Sequence, residues 1–136
     1  MDNRQELLSE ILKRVQRNYR HVVEIERLTK ELGNALSRND HDSAQLLLKM
    51  RGDEMDEATQ SKQEIQTLVH DVGEEERSAV EAWLKGEKTD DCKGFEAVKI
   101  QELSSQIRQA IKRTIVLDKA ISSRMAGEDS YYHSPS

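Results

Sequence analysis

Four histidines and one cysteine are the side chains of this sequence that most readily bind metals or attack substrates. The histidines are His21, His41, His70 and His133. None of them lies three or four residues from another histidine or from the cysteine, the spacing that places two ligands on one face of a helix. We therefore expect no metal site and no cofactor, and interpret the histidines as solvated or helix-end side chains.

The single cysteine, Cys92, lies in the sequence DDCKG. A catalytic cysteine needs a base and a positive environment that lowers the pKa of its thiol. The carboxylates of Asp90 and Asp91 would raise that pKa, so we interpret Cys92 as an unreactive loop residue. The acidic run at 53–57 lacks the spacing of a calcium loop, and no glycine-rich phosphate loop occurs. The sequence therefore gives no basis for an enzyme.

The composition favours long amphipathic helices. Charged and hydrophobic residues each make up 35% of the 136 residues, with 6 glycines and 1 proline. A layer of helices folds with this little apolar material because each helix buries only one stripe. The net charge is −5, acids concentrate in the middle of the chain and no basic stripe stands out, so nucleic acid is not an expected partner. No apolar run is long enough to insert into a membrane, and the lone cysteine fits the cytoplasm.

Apolar residues recur every three or four positions in three long segments, which predicts an all-α antiparallel helical bundle of three long helices plus one short helix. The first helix should cover 3–37, and the second should cover 42–72, capped by Asp40 or Asp42 and ended by Gly73. A short helix at 74–85 follows, with acids at its start. The last long helix should run over 94–126.

The two ends of the expected domain differ in character. Residues 1–127 should form the helical bundle, and residues 128–136 a flexible, polar tail. Trp83, the only tryptophan, should pin the short helix onto the bundle, with a partner-binding anchor as the alternative. Tyr131 and Tyr132 lie in the tail outside any apolar stripe, so they are either incidental or a short docking motif.

The stretch around the first turn resembles the FlgN-type flagellar export chaperones. The matching residues are ELGNALSRND at 31–40, followed by Ala44, Leu47 and the basic pair Lys49 and Arg51. In that family a long first helix ends in a similar turn, and a second helix with spaced leucines and a basic residue follows. Where the family's last helix commonly carries asparagines, this chain has Asp118 and Ser122.

The resemblance implies a cytoplasmic, ATP-independent secretion chaperone. Family members bind the C-terminal helical segments of hook-associated proteins, which form the hook–filament junction, and deliver them to the export gate. On that basis the last helix should bind the client through its apolar stripe, although ordinary bundle core is the alternative for each residue: Ile107, Ile111, Ile115, Ile121 and Met125. Tyr131 and Tyr132 are the corresponding candidates for docking on the export-gate component.

Two other functions remain open from the residues alone. One is a structural coiled-coil protein, which would form a stable oligomer with its first helix buried between chains. The other is a regulatory adaptor built on a helical hairpin. The chaperone interpretation predicts a monomer or weak homodimer instead.

Overall fold

The computed structural model describes the backbone of residues 3–133 and the side chains of residues 3–125. It contains four helices: α1 (Asn3–Ser37), α2 (His41–His70), α3 (Glu74–Leu84) and α4 (Phe95–His133). No strand occurs among these residues. The predicted fold, an all-α bundle of three long helices and one short helix, is confirmed.

Helix α1 lies between the other two long helices. Arg14 of α1 pairs with Glu64 of α2 at 3.1 Å, and His21 pairs with Glu54 at 2.7 Å, so α1 and α2 run antiparallel. Within the described backbone, α2 and α4 do not come within 8 Å of each other between Cα atoms. The long helices therefore form a layer with α1 in the middle, and a groove separates α2 from α4.

Helix α4 runs parallel to α1. Arg113 of α4 binds Glu26 with 2.7 Å between Nε and Oε2, and Arg124 bonds the hydroxyl of Ser37 at the end of α1. Residues of α4 after Arg124 thus have no part of α1 opposite them. At about 1.5 Å per residue, the remaining turns extend past the bundle's α1–α2 turn.

The apolar stripe of α1 is buried against the other helices of the same chain. This packing along its whole length explains why α1 is one long helix. Its residues pack with α2, α3 and α4 in one main cluster, and a smaller cluster lies near the first turn. The main cluster consists of Leu8, Ile11, Leu12, Val15, Val22, Ile65, Val69, Val72, Val80, Trp83, Ala97, Ile100, Ile107 and Ala110. A coiled-coil oligomer would therefore need a different face of α1.

The first turn follows the predicted capping chemistry. Asn39 adopts a positive φ of 56°, a conformation that asparagine tolerates well. Asp40 is the N-cap of α2, and its carboxylate accepts a hydrogen bond from the Ser43 N–H at 3.1 Å. Of the two capping residues that the sequence offered, Asp40 is the one used.

The predicted end of α2 at Gly73 is wrong. The helix ends at His70, with Asp71 as its C-cap, and Gly73 has a φ of −57° and is the N-cap of α3. Gly73 is therefore not a left-handed stop, because the chain turns at Asp71 and Val72 before it arrives there. Arg77 donates to the carbonyl oxygens of His70 and Val72, which satisfies the exposed end of α2.

The predicted end of α4 is also wrong. The sequence placed it near Gly127, but the helix continues to His133. A glycine costs a helix interior only about 1 kcal/mol relative to alanine, so one glycine does not stop a helix of this length. Whether residues 128–136 form a flexible tail stays a prediction.

Gly86 shapes the loop that returns the chain from α3 to the start of α4. Its φ is +84°, and a Cβ built on it would lie 3.0 Å from the Cα of Ser105. Its carbonyl oxygen accepts a hydrogen bond from the side-chain amide of Gln101 at 2.7 Å. The loop is therefore packed closely against α4, which only glycine allows at this position.

Candidate functional site

The five predicted client-binding residues of α4 do not share one surface. Ile107 is buried in the main core cluster, whereas Ile111 and Ile115 are 39% and 47% exposed. Ile121 is partly buried and lies against Gly33 of α1, and Met125 is partly buried near the end of the described side chains. The stripe thus divides into core positions and an exposed apolar segment, with Ile111 and Ile115 the accessible members.

The predicted docking tyrosines, Tyr131 and Tyr132, lie outside the described side chains. Their backbone belongs to the last turns of α4. Their role in docking stays a prediction.

Helix α3 fills the first part of the groove between α2 and α4. Arg4 of α1 pairs with Glu76 at 2.6 Å, which fixes the start of α3 beside the start of α1. Trp83 is 1% exposed and belongs to the main core cluster, and its indole N–H donates to the hydroxyl of Thr89 at 2.8 Å. The interpretation of Trp83 as a packing residue is confirmed.

Beyond Leu84, the last residue of α3, the groove is open. A recess of about 220 Å³ lies there, with residues from α1, α2, α3 and α4 around it. Apolar residues and polar or basic residues line it in equal number: Val15, Ile65, Leu84, Ile107 and Ile111, and Asn18, Lys62, Gln66, Ser104 and Arg108. We call this open part the α2–α4 groove.

Asn18 is the unusual residue of the recess. Its side chain occupies a position in the buried stripe of α1, between Val15 and Val22, and is only 6% exposed. Its Oδ1 is buried and has no hydrogen-bond partner among residues 3–125. A buried amide oxygen without a partner costs about 1–3 kcal/mol, so its presence in a native structure calls for an explanation, such as an ordered water or a functional role.

Two basic residues, Lys62 of α2 and Arg108 of α4, stand on opposite sides of the recess. Both are exposed, and neither has an ion-pair partner among the side chains of residues 3–125. By contrast, most arginines of α1 and α2 form ion pairs with carboxylates, for example Arg14 with Glu64 at 3.1 Å. The recess is therefore locally positive although the chain is acidic overall.

A polar bridge crosses the groove further along α1. Arg51 of α2 donates from its Nη1 to Oδ1 of Asp118 on α4 at 2.5 Å, and to the hydroxyl of Thr29 at 3.2 Å. Thr29 is completely buried. The bridge joins the three long helices and closes the far end of the α2–α4 groove, so Arg51 and Asp118 have a structural role.

On the other side of α4, Glu26 and Arg113 form a two-pronged ion pair, with N–O distances of 2.7 and 3.1 Å. Glu26 is nearly buried, whereas Arg113 is largely exposed. The hydrogen bonds from Arg113 lower the pKa of Glu26 below its usual value, with burial opposing the shift. This pair fixes the register of α4 on α1 and lies away from the recess.

Among the described side chains, Cys92 and the histidines lie in separate parts of the bundle. The pKa of the Cys92 thiol is raised, first by burial and then by the charge of Asp91, and its Sγ lies 3.5 Å from the carbonyl oxygen of Ala97. In the part of the chain that the structure describes, no three His, Cys, Asp or Glu side chains come together as metal ligands. His21, interpreted as a solvated or helix-end side chain, instead lies half-buried in the middle of α1 beside Glu54.

A wider cleft of about 620 Å³ opens at the other end of the bundle, where α1 starts and α2 ends. Its lining combines the start of α1 with the acidic first turn of α3 and includes the Arg4–Glu76 pair. Of the two buried polar atoms without a partner among the described side chains, Arg77 Nε lies near this cleft and Asn18 Oδ1 lies at the recess. The exposed apolar residues of α4 lie at the recess as well, which makes the α2–α4 groove the better candidate.

The sequence reasoning missed Asn18, Lys62 and Arg108. A signal for Asn18 was present, since it is a polar residue at a stripe position where Val15 and Val22 predict an apolar one. Lys62 falls near the apolar line of the second helix, which was a weak signal. Arg108 gave none, and the convergence of the two residues depends on how α2 and α4 flank α1.

None of the described helices has both the length and the apolar content to cross a membrane. Comparison of the chain with family models, with curated proteins and with solved structures gives no match.

Proposed function

We propose that this protein is a cytoplasmic flagellar export chaperone of the FlgN type. It binds the C-terminal helical segment of hook-associated proteins of the hook–filament junction and delivers them to the export gate. The proposal rests on the resemblance at residues 31–51 together with the plan of the bundle. It requires no catalytic group, because holding an amphipathic segment in solution needs only a complementary surface.

The observation that carries the proposal is the exposed apolar segment of α4. Ile111 and Ile115 keep 39% and 47% of their surface accessible, and Val116 keeps 67%. These side chains follow one another over less than two turns, on a helix that continues past the end of α1. Grouped exposed apolar residues on a small domain are typical of binding surfaces, and an amphipathic client helix can cover them.

The proposed client-binding residues then have unequal roles. Ile111 and Ile115 contact the client directly, because they are accessible. Ile107, Ile121 and Met125 support the surface from positions that are buried or partly buried. Met125 supplies an adaptable edge, since methionine adjusts its shape to different partners.

A peptide from the C-terminal helix of a hook-associated protein tests the proposal by isothermal titration calorimetry. The double variant Ile111→Asp/Ile115→Asp should weaken binding at least tenfold, because two carboxylates would have to be desolvated against an apolar face. Both residues are accessible, so the variant should fold.

The matched control is Val23→Asp/Leu46→Asp, which places the same charges on side chains that are 38% and 60% exposed elsewhere on the bundle. It should bind like the wild type. Absence of peptide binding by the wild-type protein would refute the proposed function. Equal losses in both double variants would instead mean that the peptide responds to charge and not to the α4 surface.

A further inference from the structure

We propose that the α2–α4 groove receives one acidic amphipathic helix of the client, and that an aromatic side chain with a hydrogen-bond donor, tyrosine or tryptophan, enters the recess and bonds Asn18. This inference rests on the proposed function and deepens it. It states where along the bundle the client helix lies and which residues the client must carry.

Helix α3 is a precedent within the same molecule. It is an acidic helix of 11 residues that lies between α2 and α4 and inserts an aromatic residue, Trp83, whose N–H is hydrogen-bonded. The open groove continues from the end of α3 at Leu84. A second helix with the same chemistry would continue the line of α3 and cover the same side of α1.

The length of the groove suits a short helix. The stretch of α1 along the groove runs from Asn18, in the recess, to Thr29, where the Arg51–Asp118 bridge crosses. It has a buried floor at Val22 and Ile25, so a client helix would lie on the α2 and α4 walls above it. At 1.5 Å per residue this stretch is about 16 Å long, or three helical turns. That is also the length of α3, so a client segment of about 11 residues fits without moving the bridge.

The recess determines what the client inserts. Its volume of about 220 Å³ exceeds the roughly 150 Å³ that holds a benzene molecule in an apolar protein cavity, so an aromatic ring can enter. Asn18 Oδ1 is a hydrogen-bond acceptor without a partner among the described side chains. This oxygen is itself closed off from solvent, so a phenol O–H or indole N–H would satisfy it once the Asn18 amide turns toward the recess, whereas phenylalanine would leave it unpaired.

The walls determine the charge of the client. On α4, Arg108, Ile111 and Ile115 follow a spacing of three and four residues, which places them on one side of the helix. On α2, Met55 lies seven residues before Lys62 and shares its side, with 37% of its surface exposed. A helix in the groove thus meets apolar surface on both walls and an unpaired cation at each wall near the recess. Carboxylates on its solvent-facing flanks would pair with Lys62 and Arg108.

Three variants test the inference with the same client peptide and calorimetry. Asn18→Leu keeps the size of the side chain but removes the acceptor, and should weaken binding about 3–10-fold through the lost hydrogen bond. The same variant should raise the thermal midpoint by a few degrees, because the uncomplexed protein no longer buries an unpaired oxygen. If Asn18 served only to stabilise the fold, its replacement would not raise the thermal midpoint and weaken peptide binding at the same time.

The charge variant is Lys62→Glu/Arg108→Glu, which should weaken binding at least tenfold at low salt, with a smaller effect at high salt. Its matched control is Arg20→Glu/Lys49→Glu, where exposed cations away from the groove undergo the same change. A client peptide with its aromatic residue changed to phenylalanine should bind wild type and Asn18→Leu equally.

The outcomes separate the two proposals. If wild type binds the peptide and both groove variants bind it equally well, the inference is wrong and the proposed function stands. If wild type does not bind the peptide, both are wrong. If light scattering shows a wild-type dimer that Asn18→Leu disperses, a second copy of the chain occupies the groove and the inference is overturned.

Discussion

At the scale of single residues, the buried polar side chains differ in how their hydrogen bonds are satisfied. Thr29 and Thr114 donate to the carbonyl oxygens four residues before them, at 2.7 and 2.8 Å, and therefore need no outside partner. Glu26 has an arginine from another helix. Asn18 alone of these four leaves a buried atom unpaired, which is why the binding proposal centres on it.

The Glu26–Arg113 pair predicts a defined pH dependence. Because Arg113 lowers the pKa of Glu26 in the folded protein, the pair stabilises the fold above the carboxyl's unfolded pKa of about 4.3. That contribution is lost as the pH falls through the lower folded value. Glu26→Gln should therefore lower the free energy of unfolding by about 1 kcal/mol at pH 7, a modest amount because Arg113 is exposed.

Urea denaturation of wild type and Glu26→Gln between pH 7 and pH 3 checks this prediction. The difference in unfolding free energy should stay constant down to about pH 5 and then shrink. Glu57→Gln, an exposed site on α2, is the control and should match the wild type throughout. A difference that grows as the pH falls would contradict the proposed origin of the stabilisation.

At the scale of elements, α3 covers the first part of the groove between α2 and α4. It is only 11 residues long, and an isolated helix of that length is marginal in water. Its stability therefore comes from burying Val80 and Trp83 between α2 and α4. Its acidic first turn adds a favourable interaction with the helix dipole.

Trp83→Ala should lower the free energy of unfolding by about 3–5 kcal/mol, because it leaves a large cavity at a fully buried site. Chemical denaturation followed by circular dichroism measures this effect, because circular dichroism does not depend on the tryptophan fluorescence that the variant loses. Phe95→Ala removes an aromatic residue that is mostly exposed at the start of α4, and should change stability by less than about 0.5 kcal/mol. Similar losses in both variants would mean that α3 is not a packed part of the core.

The elements could largely be predicted from the sequence, because each long helix repeats an apolar residue every three or four positions. The bounds of α1, at 3–37, agree with that prediction. Glycine was the less reliable guide, because Gly73 is the N-cap of α3 and does not end α2, and Gly127 lies within α4. Glycine permits a helix to stop but does not require it, and packing against neighbours decides.

The groove could not be predicted in the same way. Its geometry depends on α2 and α4 packing on either side of α1 without contacting each other. Stripe spacing predicts which face a helix buries but not the angle between two helices around a third. The division of the α4 stripe into buried Ile107 and exposed Ile111 follows from that angle.

At the scale of the whole molecule, the buried core occupies only part of the chain. Every buried side chain that the structure describes lies between Leu8 and Thr114. Tyr131 and Tyr132 lie outside the apolar stripes of the sequence, so Tyr131→Ala/Tyr132→Ala should leave the thermal midpoint unchanged while weakening binding to the proposed export-gate component. Thermal denaturation and a gate-binding assay measure the two effects separately.

Tyr19→Ala is the contrasting variant, because Tyr19 is packed against the main core cluster. It should lower the thermal midpoint by several degrees. A comparable loss in the Tyr131→Ala/Tyr132→Ala variant would show that the end of the chain packs on the bundle, and would remove the argument for a docking role.

The parallel packing of α4 on α1 also bears on the order of folding. The Glu26–Arg113 and Ser37–Arg124 contacts each join positions 87 residues apart, whereas Arg14 and Glu64 are only 50 apart. During synthesis the α1–α2 hairpin emerges first, but the side of its stripe that α4 covers stays in water until α4 has been synthesised. Non-local contacts of this kind form late. A nascent or truncated chain that lacks α4 would leave apolar surface accessible along much of α1. Such a chain would be prone to aggregate until α4 packs on α1.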